Sequence, residues 1–85
     1  MEGLTDHQRR ALGSVLKAAR LRLGWTQAEA GKRGRLDRAY ISHIERGKKS
    51  PTLAALIRYC TALGVNPCDV LVESGLVASA TDHGS

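Results

Sequence analysis

Between Leu12 and Leu23 the apolar side chains Leu12, Val15, Leu16, Ala19 and Leu23 recur every three or four residues. That is the single-face pattern of an amphipathic helix, and Gly24 supplies its stop. Thr5 or Asp6 offers an upstream cap, so residues 1–10 are expected to form an N-terminal extension, helical in part. Thr26 with Glu29 three residues on is a capping box and starts a second, short helix. Gly31 and Gly34 weaken that helix, which is predicted to end near Arg33. Leu36 is the lone apolar residue of the link, and Asp37 caps a third helix. In it Tyr40, Ile41 and Ile44 share one face, while Arg38, Ala39, Ser42 and His43 lie on or near the other. Gly47 closes it. A basic loop, Lys48-Lys49-Ser50-Pro51, leads to Thr52, the cap of a fourth helix whose stripe reads Leu53, Leu56, Ile57, Cys60 and Leu63. Gly64 ends it. Asn66 and Pro67 open a fifth helix running to about Ser74, with Val70 and Leu71 turned inward. From Gly75 small and polar residues predict a frayed tail in which Leu76 and Val77 are exceptions. The architecture expected is all-α: one compact domain of five short helices over residues 11–74, followed by a partly flexible tail over 75–85.

Composition narrows this picture. The chain has 85 residues, enough for one domain with a small core. Phe is absent and only one Trp and two Tyr are present, so burial must come from aliphatic side chains on closely packed helices. The net charge of +5 is unevenly spread. Residues 32–49 alone carry Lys32, Arg33, Arg35, Arg38, Arg46, Lys48 and Lys49 against Asp37 and Glu45, whereas residues 50–85 are net acidic. A basic block of this kind is the footprint of a polyanion partner, or simply a solvated basic surface. Cys60 and Cys68 have neither metal-ligand spacing nor a disulfide framework and are read as small buried hydrophobes, with a redox pair as the alternative. No signal peptide or apolar run of membrane length is visible, and a cytoplasmic, nucleoid-associated protein is expected.

The helices spanning Thr26 to Glu45 carry the candidate chemistry. Two short helices joined by a tight turn containing Gly form the layout of a helix-turn-helix. Such a unit needs a first helix whose N-terminus can meet a phosphate and a second that shows short or polar side chains to base edges. Gln27 opens the first helix, where its amide can donate to a phosphate beside free backbone N–H groups. Arg38, Ala39 and His43 occupy the outer face of the second. A guanidinium bidentate to guanine O6 and N7 is the commonest specific contact. Trp25 is read as a packing residue at the helix junction. An enzyme is not expected: Ser42 and His43 are sequence neighbours on a helix and point to different faces, so they cannot act as nucleophile and base. Neither paired carboxylates nor a metal cluster is present, and no cofactor is expected.

The ordered residues Trp25-Thr26-Gln27-Ala28-Glu29, then Tyr40-Ile41-Ser42-His43-Ile44-Glu45-Arg46-Gly47, Pro51, Leu53 and Leu63-Gly64-Val65 resemble the lambda-repressor-like, XRE-type family of DNA-binding domains. The resemblance runs from about Leu12 to Leu71. It implies a five-helix all-α fold with the helix-turn-helix as helices two and three, and a homodimer on a palindromic operator. By position it implies base contacts from Arg38, Ala39 and His43, and phosphate contacts from Gln27, Tyr40, Arg46, Lys48 and the adjoining Lys49. It also implies a structural ion pair, Arg20 with Glu45, tying the first helix to the end of the recognition helix. Gly31 stands where the family usually has Ala, Ala30 replaces a usual Leu, and Arg35 sits where a turn Gly is common, with Gly34 one residue early.

The expected function is sequence-specific binding of double-stranded DNA in the major groove by a transcriptional regulator, acting as a repressor. The dimer surface is expected on helix five with Val72, Leu76 and Val77. Rival readings are an antitoxin-type interaction module that also regulates its own operon, and an RNA-associated coactivator.

Overall fold

Each helix starts where a side-chain oxygen can accept a backbone N–H that the helix itself leaves unpaired. In the computed structural model, which describes residues 3–78, Thr5, Thr26, Asp37, Thr52 and Asn66 do this for five helices in turn. These are α1 (Asp6–Arg22), α2 (Gln27–Gly34), α3 (Arg38–Glu45), α4 (Leu53–Leu63) and α5 (Pro67–Glu73). Thr5 and Thr26 form full capping boxes, their backbone N–H groups donating in return to Gln8 and Glu29. A cap of this kind contributes about 1 kcal/mol, which matters for helices of two turns.

The first helix takes in residues 6–10 of the segment read as an extension. It is continuous from Asp6, and Arg9 donates to the Gly47 carbonyl at 3.0 Å and to the Leu4 carbonyl at 2.7 Å. A boundary at residue 10 therefore falls inside α1. At the other end, Leu76 turns back from α5, its N–H donating to the Leu71 carbonyl at 3.0 Å, and packs partly buried against the core. Residues 79–85 of the expected tail lie outside the described residues.

Packing follows the apolar faces. The α1 helix lies against α3 and α5, and α2 against α3 and α4, with α4 bridging to α5. The core joins Leu12, Leu16 and Ala19 of α1, Ala30 of α2, Ile41 and Ile44 of α3, Leu56, Tyr59, Cys60 and Leu63 of α4, and Val70 of α5. Trp25 packs on its margin with the Arg33 guanidinium 4.5 Å over its ring. Three expectations of burial fail. Leu23 caps α1 beyond its last full turn and is largely exposed. On α4 the stripe is rotated: Leu53 is 71% and Ile57 46% exposed, while Ala55 and Tyr59 take the inward positions. Both phases contain Leu56, Cys60 and Leu63 at spacings of three and four, so periodicity alone admits either. Cys68, in the first turn of α5, is exposed; Cys60 is buried, and both thiols are free. Burial pushes the Cys60 thiol up to about 11, which keeps it protonated and unreactive at neutral pH.

The turn between α2 and α3 is where the sequence departs from the family pattern, and it closes by a left-handed residue that is not glycine. Arg35 holds φ 56° and ψ 45°, and the N–H groups of Arg35 and Leu36 both donate to the Gly31 carbonyl. The chain folds back so closely that a Cβ on Gly31 would lie 2.6 Å from the Leu36 carbonyl oxygen. Gly31 is thus required by this turn, not merely tolerated. A left-handed L-residue costs about 1–2 kcal/mol, partly offset by its lower entropy in the unfolded chain. Arg35→Gly is expected to raise stability by about 0.5–1 kcal/mol, read as a higher Tm in thermal unfolding. A lower Tm would show that the Arg35 side chain contributes more than its backbone costs.

Candidate nucleic-acid interface

The α3 helix is divided by its own periodicity. Ile41, Ile44 and Glu45 are buried, which leaves Arg38 and Ala39 exposed in its first turn and His43 half-buried in its last. The Asp37 cap accepts the Ala39 N–H at 3.1 Å and fixes that first turn. Arg46 follows as the exposed C-cap, and the His43 carbonyl accepts the Lys48 N–H at 2.8 Å, holding the basic loop against the helix end. Lys48 and Lys49 are exposed. Tyr40 is half-buried: its ring packs on the core, its hydroxyl accepts the Thr52 N–H at 3.1 Å, and the Lys49 ammonium stands 5.8 Å from its ring centre. Tyr40 therefore joins α3 to the start of α4 and shapes the loop that carries two cations.

Beneath this surface lies a charged core. Arg20 and Glu45, only 6% and 7% exposed, meet through two hydrogen bonds, Nε to Oε2 at 2.7 Å and Nη2 to Oε1 at 2.9 Å. The remaining Arg20 nitrogen, Nη1, donates to the Trp25 carbonyl at 2.7 Å. Gln27 Nε2 donates to Glu45 Oε1 at 3.1 Å, and the Tyr59 hydroxyl donates to Oε2 at 2.7 Å. Burial pushes the Glu45 carboxyl up, but the hydrogen bonds from Arg20, Tyr59 and Gln27 together with the Arg20 charge outweigh it and hold the carboxyl below its ordinary value. The hydrogen bond to Glu45 raises Arg20 against the opposing effect of burial. Burial, with the Glu45 bond, raises the Tyr59 phenol. At neutral pH the network is one cation, one anion and two neutral donors. Among the described residues no buried side-chain nitrogen or oxygen lacks a partner.

The structure thus carries Arg38, Ala39, Tyr40 and His43 on α3, with Arg46 at its C-cap and Lys48 and Lys49 in the loop that follows, and places Gln27 at the first residue of α2 with its amide on Glu45. Sequence reasoning missed Tyr59, whose hydroxyl completes the Glu45 shell. Its only signal was an aromatic residue three positions after Leu56 on an otherwise aliphatic stripe. It also missed Gly13, where a Cβ would lie 2.3 Å from the Ile44 carbonyl oxygen and 2.7 Å from that of Glu45. A glycine inside an amphipathic helix signals such a close approach.

Two short helices held by capped ends, the second turning polar residues outward beside a cationic loop, define a helix-turn-helix DNA-binding domain. A family model described as helix-turn-helix matches residues 16–70. The chain belongs to this XRE-type helix-turn-helix family. It is 39% identical over 67 residues to the transcriptional regulator ClgR of Mycobacterium tuberculosis, a match covering 79% of this chain and 60% of that protein. It also resembles the crystal structure of the clp gene regulator ClgR from Corynebacterium glutamicum, with TM-score 0.76, 36% identity, and coverage of 88% of this chain and 77% of that one. The restriction-modification controller protein C.AhdI from Aeromonas hydrophila superposes with TM-score 0.71 and 27% identity over 73% of this chain and 94% of that one. These relatives are regulators, not enzymes. Among the described residues no single helix is long and apolar enough to cross a membrane.

Proposed function

We propose that the chain binds double-stranded DNA sequence-specifically through the major groove, with α3 as the recognition helix. The observation that carries this is the division of α3: its inner face is locked to the core by Ile41, Ile44 and Glu45, leaving Arg38, Ala39 and His43 to the base edges. Gln27, Tyr40, Arg46, Lys48 and Lys49 contact phosphates around them, and Arg20 with Glu45 is structural.

The apolar surface left over suits a second copy of the chain. Val72 and Val77 are exposed beside the half-buried Leu76, and Leu53 projects at the edge of a groove that Leu4, Leu56, Leu71 and Leu76 also line. A dimer through α5 and the following residues presents two recognition helices to successive major grooves about 34 Å apart, and so reads a palindromic operator. A cytoplasmic, nucleoid-associated protein covering such a stretch excludes polymerase from it, which makes repression the proposed action.

Selection of bound sequences from random duplexes tests the reading, since it returns site, half-site spacing and stoichiometry together. A palindrome bound by two chains is expected, with affinity falling roughly a thousandfold or more between 50 and 200 mM salt if about six phosphates are neutralised. A salt-independent affinity contradicts the proposal. On the selected site Arg38→Ala should relax preference at one base pair per half-site, at about 1–3 kcal/mol. Lys48→Ala should weaken all sequences alike and lower the salt slope by about one. The reverse pattern would exchange the two roles.

A further inference from the structure

Tyr59 is 1% exposed, so its hydroxyl cannot touch a nucleic acid, yet it is bonded into the shell of the one carboxylate that also holds Gln27. Glu45 is reached from three helices. Arg20 comes from α1, Gln27 from α2 and Tyr59 from α4, and the four donated hydrogen bonds divide two to each carboxylate oxygen. A carboxylate has about four acceptor directions, so this shell is full. The terminal torsion of a glutamate is soft, and the orientation of the carboxylate is set by the donors around it. Arg20 is anchored a third time on the Trp25 carbonyl, and Tyr59 is fixed in the core. Gln27, half-buried at the first residue of α2, is the one donor at the edge of the shell.

We infer that Tyr59 is a positioning residue for Gln27: by satisfying Oε2 from inside, its hydroxyl leaves Oε1 to the Gln27 amide and fixes that amide at the N-terminus of α2. An amide nitrogen has two N–H groups. One is donated to Glu45, and the other is left to meet a phosphate arriving beside the free backbone N–H groups of the first turn. Without the phenol, Oε2 keeps only the Arg20 Nε–H and loses one of its two donors, and the donor at the edge of the shell, the Gln27 amide, moves inward to replace it. The inference rests on the reading of Gln27 as a phosphate contact.

The test is a double-mutant cycle on the selected operator with Tyr59→Phe and Gln27→Ala. Binding is measured at a temperature where circular dichroism shows every variant folded. Tyr59→Phe alone is expected to weaken binding roughly three- to tenfold, and to have no further effect in the Gln27→Ala background. The salt slope should stay at the wild-type value, because a neutral amide releases no counterion. A purely structural Tyr59 would lower Tm and leave the affinity of the folded protein unchanged, and that result overturns the inference. So does an equal loss in both backgrounds. If Tyr59→Phe does not fold, side-chain relaxation of the Gln27 amide in the free wild-type protein decides: a restrained amide supports the inference, and a freely reorienting one sinks it. Failure of the wild-type protein to select any duplex would instead remove the DNA-binding reading itself.

Discussion

Glu45→Ala is expected to destabilise the domain by about 3–5 kcal/mol, because it strands the buried Arg20 guanidinium without its anion. For a domain of this size that lowers Tm by tens of degrees and consumes much of the total stability. Replacing both partners by apolar residues, Arg20→Met with Glu45→Leu, should restore part of the loss, since the desolvation of both charges is then removed along with their attraction, while the buried Tyr59 hydroxyl still loses its acceptor. Urea unfolding of the two variants checks this; a single substitution costing under about 1 kcal/mol would show that solvent reaches the pair freely. The same carboxylate gives stability an acid limb. Its folded-state value is held below the ordinary 4.5, so its contribution is whole above that value and fades as pH falls through the lowered one. Glu45→Gln, which does not titrate, should flatten this part of the pH profile as well as lower it.

How much of this was legible depended on whether a feature is local. The helix starts at Thr26, Asp37, Thr52 and Asn66 could be read because a cap is a contact between residues two or three apart. The buried face of α3 was equally plain, since Ile41 and Ile44 stand alone among polar neighbours. The rotation of α4 was not, because Leu53 and Ile57 are larger hydrophobes than Ala55 and offer an equally periodic stripe. Choosing between the phases needs the position of Glu45, 14 positions away in sequence, whose carboxylate accepts the Tyr59 hydroxyl. The turn was half legible. Gly31 and Gly34 marked it, yet the left-handed position falls on Arg35, and only the closeness of Leu36 shows why Gly31 must stay small. Of the candidate interface, the identity of the outward residues followed from sequence, whereas the tie between Gln27 and Glu45 depends on how α2 crosses α3.

Gly13→Ala is expected to destabilise although it improves a helix. Alanine is favoured over glycine in a helix interior by about 1 kcal/mol, and at an exposed position that gain would decide the outcome. Here the new methyl would stand 2.3 Å from the Ile44 carbonyl oxygen and 2.7 Å from that of Glu45, both backbone atoms of the last turn of α3. Carbon and carbonyl oxygen approach one another comfortably only at about 3.3 Å or more, so α1 and α3 must part by roughly 1 Å. That separation loosens Ile44 in the core and lengthens both hydrogen bonds between Arg20 and Glu45, which join the same two helices. Overpacking of this severity costs about 3 kcal/mol or more, and the net loss after the helix gain is about 2–3 kcal/mol, or roughly 10–20 °C in Tm. Gly34→Ala is the matched control. Its Cβ would meet nothing closer than 3.6 Å, and it should be neutral or stabilising. Thermal unfolding of the two variants separates propensity from clearance. If Gly13→Ala rose in Tm as Gly34→Ala does, the close crossing of α1 and α3 would be wrong. The seat of the recognition helix, which that crossing fixes, would be wrong with it.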